Sequence, residues 1–258
     1  MRKEAALALS FRQTEIVEIA RADGRVVVED LAQRFDVTLQ TIRRDLTELA
    51  DSGLLDRVHG GAVPRTGVTN LGYDERRVMN EAAKAAIAKA CAAAIPDNCS
   101  IIINLGTTTE AVARELLQHR NITVITNNMN VANILVANPS CDIMVAGGAF
   151  RRSDGGLVGE LTTQFFEQFK VDYAIIGSSA LDGDGDLLDF DLAEVRVSKT
   201  IIRQARRVFL VCDHSKLGRS APARLASLSE ISEVFTDQLF PEDLAQRCDA
   251  WGTKINCC

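Results

Sequence analysis

The stretch Val37-Thr38-Leu39-Gln40-Thr41-Ile42-Arg43-Arg44-Asp45-Leu46 decides how the start of this chain is read. Thr38 closes a small polar break and can cap a helix, its hydroxyl accepting a backbone N–H of the first turn. Ile42, Leu46 and Leu49 then recur at helical spacing and can face a core. Gln40, Thr41, Arg43, Arg44 and Thr47 are left outside. A buried stripe opposite a Gln/Thr/Arg face suits a helix that enters a DNA major groove. Gln and Arg pair bidentately with base edges, while Thr and Arg hold phosphates. An Arg-Arg pair alone is more commonly a solvated helix face, so the flanking segments must carry the reading.

They do. Upstream, residues 28–35 form a short amphipathic segment. Downstream, Leu55-Asp56-Arg57-Val58 reads as a short strand, and Gly60-Gly61 permits a tight reversal. That pattern is a helix, a turn, a second helix and a wing. It places Arg57 and His59 at the edge of the helix unit, where DNA-backbone or minor-groove contacts are expected. The first motif helix begins at Val27-Val28 and has no obvious N-cap.

The chain has 258 residues, 47% of them apolar, which is room for two domains with a substantial core. No apolar run reaches the ~18 residues of a membrane span, and the N-terminus lacks a signal-peptide core and cleavage site. A cytoplasmic location is expected. The net charge of -6 argues against indiscriminate nucleic-acid binding. Residues 1–62 carry nine Lys/Arg against eleven Asp/Glu, so recognition must rest on where the charges sit. A single copy should bind DNA weakly and with steep salt dependence, and a homo-oligomer, dimer or tetramer, is expected. The seven cysteines show neither CxxC nor His at metal-ligand spacing, which reads as reduced core thiols, with no metal and no cofactor. Cys257-Cys258 is read as a tail.

Residues 1–62 are read as a winged helix-turn-helix domain with its core at 26–45. Residues 63–80 are read as a polar, turn-rich linker, and 81–258 as an effector-binding and oligomerisation domain. After an Ala-rich helix at 81–94, short β-branched runs (100–104, 122–126, 141–146, 171–177, 208–213, 234–236) alternate with helical segments. This alternation predicts an α/β fold with a mostly parallel sheet covered on both faces.

Ligands of such sheets sit at strand carboxyl ends. After the first strand, Gly106 permits close backbone approach, and Thr107, Thr108 and Thr109 offer hydroxyls beside free N–H groups at a helix start, an anion site. It is not a nucleotide P-loop, since GxxxxGK is missing; taken alone it is a Thr-rich helix cap. Asn127 and Asn128 follow the second strand. Gly147-Gly148 follows the third, with Arg151 able to pair a phosphate. Asp213 and Lys216 close a later strand with a carboxylate and an ammonium, and Glu194, on the helix after residues 182–186, can either reach the pocket or lie on a solvated helix face. Asp182-Gly183-Asp184-Gly185-Asp186 invites a calcium-loop reading, but Leu187 and Ala193 stand where the loop needs Gly and Glu, so a polar turn before a helix is expected. Together these strand ends favour a phosphorylated polyol or sugar.

The motifs Thr41-Ile42-Arg43-Arg44-Asp45-Leu46 and His59-Gly60-Gly61-Ala62 resemble the N-terminal signature of the DeoR family of bacterial transcriptional regulators. The segments 105–109, 126–128, 146–148, 158–160 and 213–216 are similar to that family's sensor domain. The resemblance implies a winged helix-turn-helix with the 41–46 helix in the major groove. It also implies a sensor related to sugar-phosphate isomerases that binds phosphorylated intermediates as inducers. More narrowly, 128–133, 187–191 with 194–196, and 213–219 resemble the branch answering to glycerol 3-phosphate. That implies repression of glycerol-uptake genes, relieved by this ester; Asp182 joins the effector residues on the same ground. Thr38 replaces a usual Ser, Asn104 an Asp, and Ala180 a Gly in the loop ending at Asp182. Two alternatives stay open: a regulator answering another sugar phosphate, and an isomerase-type enzyme with a DNA-binding appendage, its Asp213/Lys216 pair exchanging protons with substrate.

Overall fold

The computed structural model describes residues 9–23, 26–52, 54–58, 60–64 and 73–258. Two compact units divide between Thr69 and Asn70. In the first unit α1 (Phe11–Asp23), α2 (Val28–Arg34) and α3 (Leu39–Asp51) combine with β1 (Val26–Val27), β2 (Leu55–Val58) and β3 (Gly61–Pro64). The strands form an antiparallel sheet in the order β1-β3-β2. Glycine is required at 61 because a Cβ there would lie 1.9 Å from the Val26 carbonyl oxygen where β1 and β3 close.

The Thr38 hydroxyl accepts the Thr41 N–H at 3.2 Å, the cap expected for α3. Ile42, Leu46 and Leu49 are buried against Ile16, Ala20, Leu31 and Leu55. Val27 precedes α2 without a side-chain cap, also as expected. The sequence reading did not foresee α1, whose polar face fastens α3.

The second unit begins with α4 (Tyr73–Val78) and α5 (Glu81–Ala93). Its main strands are β4 (Ser100–Ile103), β5 (Ile122–Thr126), β6 (Cys141–Val145), β9 (Val171–Ile176), β12 (Ala205–Val211), β14 (Glu233–Thr236) and β15 (Lys254–Cys257). Between them run α6 (Thr107–Glu115), α7 (Met129–Leu135), α8 (Glu160–Phe166), α9 (Leu192–Arg203) and α10 (Glu242–Trp251). A hairpin of β7 (Ala149–Arg151) and β8 (Gly156–Val158) and a small antiparallel sheet of β10 (Ala180–Leu181), β11 (Asp186–Asp189) and β13 (Ala223–Ser227) complete it.

The seven strands are all parallel, in the order β15-β14-β12-β9-β4-β5-β6. Successive strand residues face opposite sides. Ile101, Ile103 and Val124 pack with α5, α6 and α7 on one face, and Ile102, Ile125 and Ile176 with α8, α9 and α10 on the other. The parallel α/β expectation holds.

Two expectations need correction. The stretch 63–80 is not all linker: residues 63–64 belong to β3, and Tyr73–Val78 is a helix. Cys257 belongs to an edge strand, because Lys254–Cys257 pairs with Glu233–Thr236; a four-residue polar strand offers too little alternation to be seen in sequence.

Chain order creates the crevice. From β4 the sheet grows through β5 to β6; the chain then returns to β9 on the other side of β4 and grows outward again. Helices leaving β4 and β9 therefore diverge, and the gap between their starts is where ligands enter such sheets.

Candidate functional site

On the first unit, α3 is braced from behind. Asp45 is buried and receives Arg12 Nε at 2.6 Å and Arg12 Nη2 at 3.3 Å. Gln13 donates to Glu48 at 2.7 Å, and Glu48 in turn accepts from Arg44 Nε at 2.9 Å. The wing joins in, since Arg57 Nη1 donates to the Arg43 carbonyl at 3.0 Å and Thr47 Oγ1 to the same carbonyl at 2.8 Å.

These bonds sort the predicted DNA-contacting residues. Gln40 and Arg43 are exposed and make no side-chain bond. Arg44 is tethered to Glu48. Thr38 and Thr41 bond each other at 2.9 Å as part of the cap, and Arg57 and Thr47 brace the helix. His59 lies outside the described residues. Gln40 and Arg43 are thus the side chains left at liberty for base edges or phosphates, a distinction the sequence did not offer.

On the second unit, the carboxyl ends of β4, β5, β9 and β12 form one mouth. Thr109 is buried and donates to the carbonyls of Asn104 and Gly106, both at 2.8 Å, so it is a strut of the turn. Thr107 Oγ1 donates to the Arg76 carbonyl at 3.4 Å. Thr108 makes no side-chain bond, and its N–H belongs to the open first turn of α6. Asn128 caps α7 with Oδ1 and donates to Glu110 at 3.3 Å. Asp213 Oδ1 accepts from Ser215 N at 3.0 Å and Asn80 Nδ2 at 2.8 Å. These bonds, with Lys216 nearby, outweigh burial and keep the Asp213 carboxyl below its ordinary range.

Cations gather beside it. Burial is the main reason the Lys216 ammonium falls to about 8, and the positive charges of Arg219, Arg76 and Lys84 lower it further. Lys84 is lowered by burial as well, in spite of Asp213 and Glu110. The sequence reading missed Arg76, Asn80, Lys84 and Glu110. Arg76 and Asn80 fell in the supposed linker, and Lys84 looked like ordinary charge on an Ala-rich helix.

Four buried polar atoms in the described residues have no hydrogen-bond partner: Arg76 Nε, Asn104 Oδ1, Asn127 Oδ1 and Ser215 Oγ. An unpaired buried polar group costs roughly 1–3 kcal/mol, and such groups are rare enough that each needs a cause. All four belong to the mouth. Asn104 and Asn127 stand on neighbouring strand ends, with their amide nitrogens committed to Ser198 Oγ at 2.7 Å and the Leu157 carbonyl at 3.0 Å. Their free carbonyl oxygens call for donors such as hydroxyls. Arg76 and Ser215, beside Lys216 and Lys84, call for an acceptor of negative charge.

Several predicted residues serve otherwise. Arg151 donates twice to Asp154, at 2.9 and 2.5 Å, and at 2.6 Å to both Asp191 and Glu194, so four of its five N–H donors are taken by carboxylates of its own chain. Burial and the Asp189 carboxylate push Glu194 up to about 7. Gly148 has φ +147, and a Cβ there would lie 2.1 Å from Thr162 Oγ1. Its glycine makes room for α8, while Gly147 accepts from Thr162 Oγ1 at 2.8 Å. Asp182 accepts the N–H groups of Asp184 and Asp186 at 3.0 and 2.9 Å, closing the β10–β11 turn. That turn is polar as expected, though it joins strands instead of preceding a helix. Ala180 is fully buried.

Two family models match the chain. One, for the DeoR-like helix-turn-helix domain, covers residues 12–66; the other, for the DeoR C terminal sensor domain, covers 79–238. The chain belongs to the DeoR family. Among DeoR-family relatives, the glycerol-3-phosphate regulon repressor of Escherichia coli is 43% identical, spanning 91% of this chain and 93% of its own. The protein of the same name from Haemophilus influenzae is 42% identical over 96% of this chain and 97% of its own. The E. coli repressor CsqR is 38% identical over 92% and 90%. A ribose-5-phosphate isomerase solved with phospho-erythronic acid overlays 53% of this DeoR-family chain and 54% of its own at 18% identity and a TM-score of 0.40, a likeness too slight to build on. No helix of the described residues is long and apolar enough to cross a membrane.

Proposed function

We propose that this DeoR-family chain is a transcriptional repressor whose sensor takes glycerol 3-phosphate, and that the ester lowers its affinity for operator DNA in glycerol-metabolism promoters. The observation that carries the ligand half is the set of four unpaired buried polar atoms around one mouth. Two carbonyl acceptors match the hydroxyls of a small polyol, and a cation group with a free hydroxyl matches its phosphate. The names of the relatives at 42–43% identity support the same ester. The groups at the mouth fit other small phosphorylated sugars by the same chemistry, so the phosphate and at least one hydroxyl are the essential features.

The DNA half rests on α3 with Gln40 and Arg43 free. An acidic chain gains little from one head, so the working form is a homo-oligomer in the cytoplasm, with heads reading half-sites about one helical turn apart or a multiple of that. A tenfold loss of operator affinity requires a coupling of only about 1.4 kcal/mol between the two sites.

The isomerase reading is weaker on geometry. A proton-exchanging carboxylate works best with a pKa near the operating pH, whereas Asp213, fixed by Asn80 and Ser215, is held below its ordinary carboxylate range.

A gel-shift titration tests the proposal. Labelled operator should be released on adding glycerol 3-phosphate and retained with glycerol. Release by neither removes the ester as inducer; release by another sugar phosphate alone reassigns the ligand within the class.

A further inference from the structure

Among the described residues, the sensor's first helix, α4, is fastened by hydrogen bonds to Glu110, Asn130, Thr107 and Lys84. Its aliphatic side chain among the described residues, Val78, is 73% exposed. Its attachments are polar. Tyr73 Oη donates to Glu110 at 2.9 Å, and the Arg76 carbonyl accepts from Thr107. Lys84 Nζ donates to the carbonyls of Arg76 and, at 2.6 Å, Met79. Just beyond, Asn80 holds a left-handed backbone with φ +52 while its side chain reaches Asp213.

We propose that Lys84 converts ligand binding into release of α4: without ligand its ammonium holds the carbonyls at the end of that helix, and an incoming phosphate ester takes the ammonium from them. The inference rests on the phosphate-ester reading of the mouth. Lys84 lies within electrostatic reach of Asp213, Glu110 and Arg76, and its charge acts on Lys216. It is therefore part of the same cation group. A phosphate is the stronger rival, since its negative charge adds a charge–charge attraction to the ammonium that neutral carbonyls cannot supply.

Loss of the ammonium leaves the final carbonyls of α4 uncapped. A helix of six residues is far below the roughly 12–15 that stand alone in water. Losing this one cation thus leaves α4, the sensor helix next in sequence to the DNA-binding unit, on the bonds of Tyr73 to Glu110 and Asn130 and of Thr107 to the Arg76 carbonyl, too few to hold six residues in a helix.

Amide hydrogen exchange of the full-length protein tests this, read at residues 73–80 with β4 as a folding control, alongside thermal stabilisation as a separate measure of binding. Saturating glycerol 3-phosphate should speed exchange in 73–80 at least tenfold and leave β4 unchanged. In Lys84→Met those amides should exchange fast with or without ester, and ester affinity should fall at least tenfold. Stabilisation by the ester without faster exchange overturns the proposal and leaves the ligand reading intact. No stabilisation by the ester overturns that reading, and the unliganded Lys84→Met comparison still decides the fastening: exchange equal to wild type overturns it. Should Lys84→Met lose β4 protection, the wild-type ester titration decides alone.

Discussion

The DNA-binding unit and the sensor handle buried polar groups in opposite ways. Behind α3, Arg12, Gln13, Asp45 and Glu48 are mutually paired, and no buried side-chain atom among the described residues of that unit lacks a partner. The sensor leaves four such atoms unpaired around one mouth. The difference follows from what each unit meets. A duplex is read from the solvent side, so a rigid helix with free Gln and Arg is complete before its partner arrives. A small polar molecule is enclosed, so its binding groups must be withdrawn from water and left unsatisfied until it enters.

The largest expected effect tests the first half of that contrast. Arg43→Ala should lose roughly 1–3 kcal/mol of operator binding if Arg43 reads a guanine edge, with specificity relaxed at that position. Loss of equal size on every sequence would make it a phosphate contact. Arg44→Ala should lose less, because Arg44 is already held by Glu48 at 2.9 Å and its release to DNA must overcome that pair. Competition gel shifts with operator and scrambled duplexes separate these outcomes, and an Arg44 loss exceeding that of Arg43 would reverse the ranking.

A smaller effect probes the other half. Ser215→Ala removes a buried hydroxyl that has no partner in the unliganded chain. Removing an unsatisfied group is stabilising, by about 1 kcal/mol, whereas removing a ligand donor weakens binding by a similar amount. The unliganded melting temperature should therefore rise while affinity for the ester falls about fivefold. Destabilisation together with unchanged affinity would mean that the Ser215 hydroxyl is a packing group.

How much of this was legible in the sequence differs by region for physical reasons. In α3 the apolar positions recur on one helical face and the cap is a single hydroxyl, so Thr38, Ile42, Leu46 and Leu49 could be placed from spacing alone. The parallel strands were visible as β-branched runs buried on both faces. The mouth was only half legible. Strand-end residues such as Asn127 and Asp213 announce themselves by position, but whether a side chain is free depends on partners distant in sequence. Arg151 looked available until Asp191 and Glu194, some forty residues on, were seen to hold it. Lys84 and Asn80 belong to the mouth only because α5 packs against α6, β12 and β14 and Asn80 reaches Asp213 more than a hundred residues on, and no local pattern encodes that.

The most gradual effect is a pH dependence set by Lys216, and its sign differs between the two observables. Burial lowers the ammonium to about 8 from the ordinary lysine value of 10.5. The folded, unliganded sensor therefore holds fewer protons than the unfolded chain between these values, and its stability should rise with pH across that window. A bound phosphate favours the charged ammonium and raises its pKa again, so binding takes up a proton there. Ester affinity should be level from pH 7 to 8, where the ester is already a dianion, and should decline above 8. Opposite trends in melting temperature and affinity over one pH range are the signature of a buried cation awaiting an anion. Lys216→Arg, which keeps its charge throughout, should flatten the stability trend and leave only the later decline from Lys84. Calorimetric titrations in buffers of different ionisation enthalpy would count the proton directly, and an affinity that stays level from pH 8 to 10 in the wild type would remove Lys216 from the phosphate site.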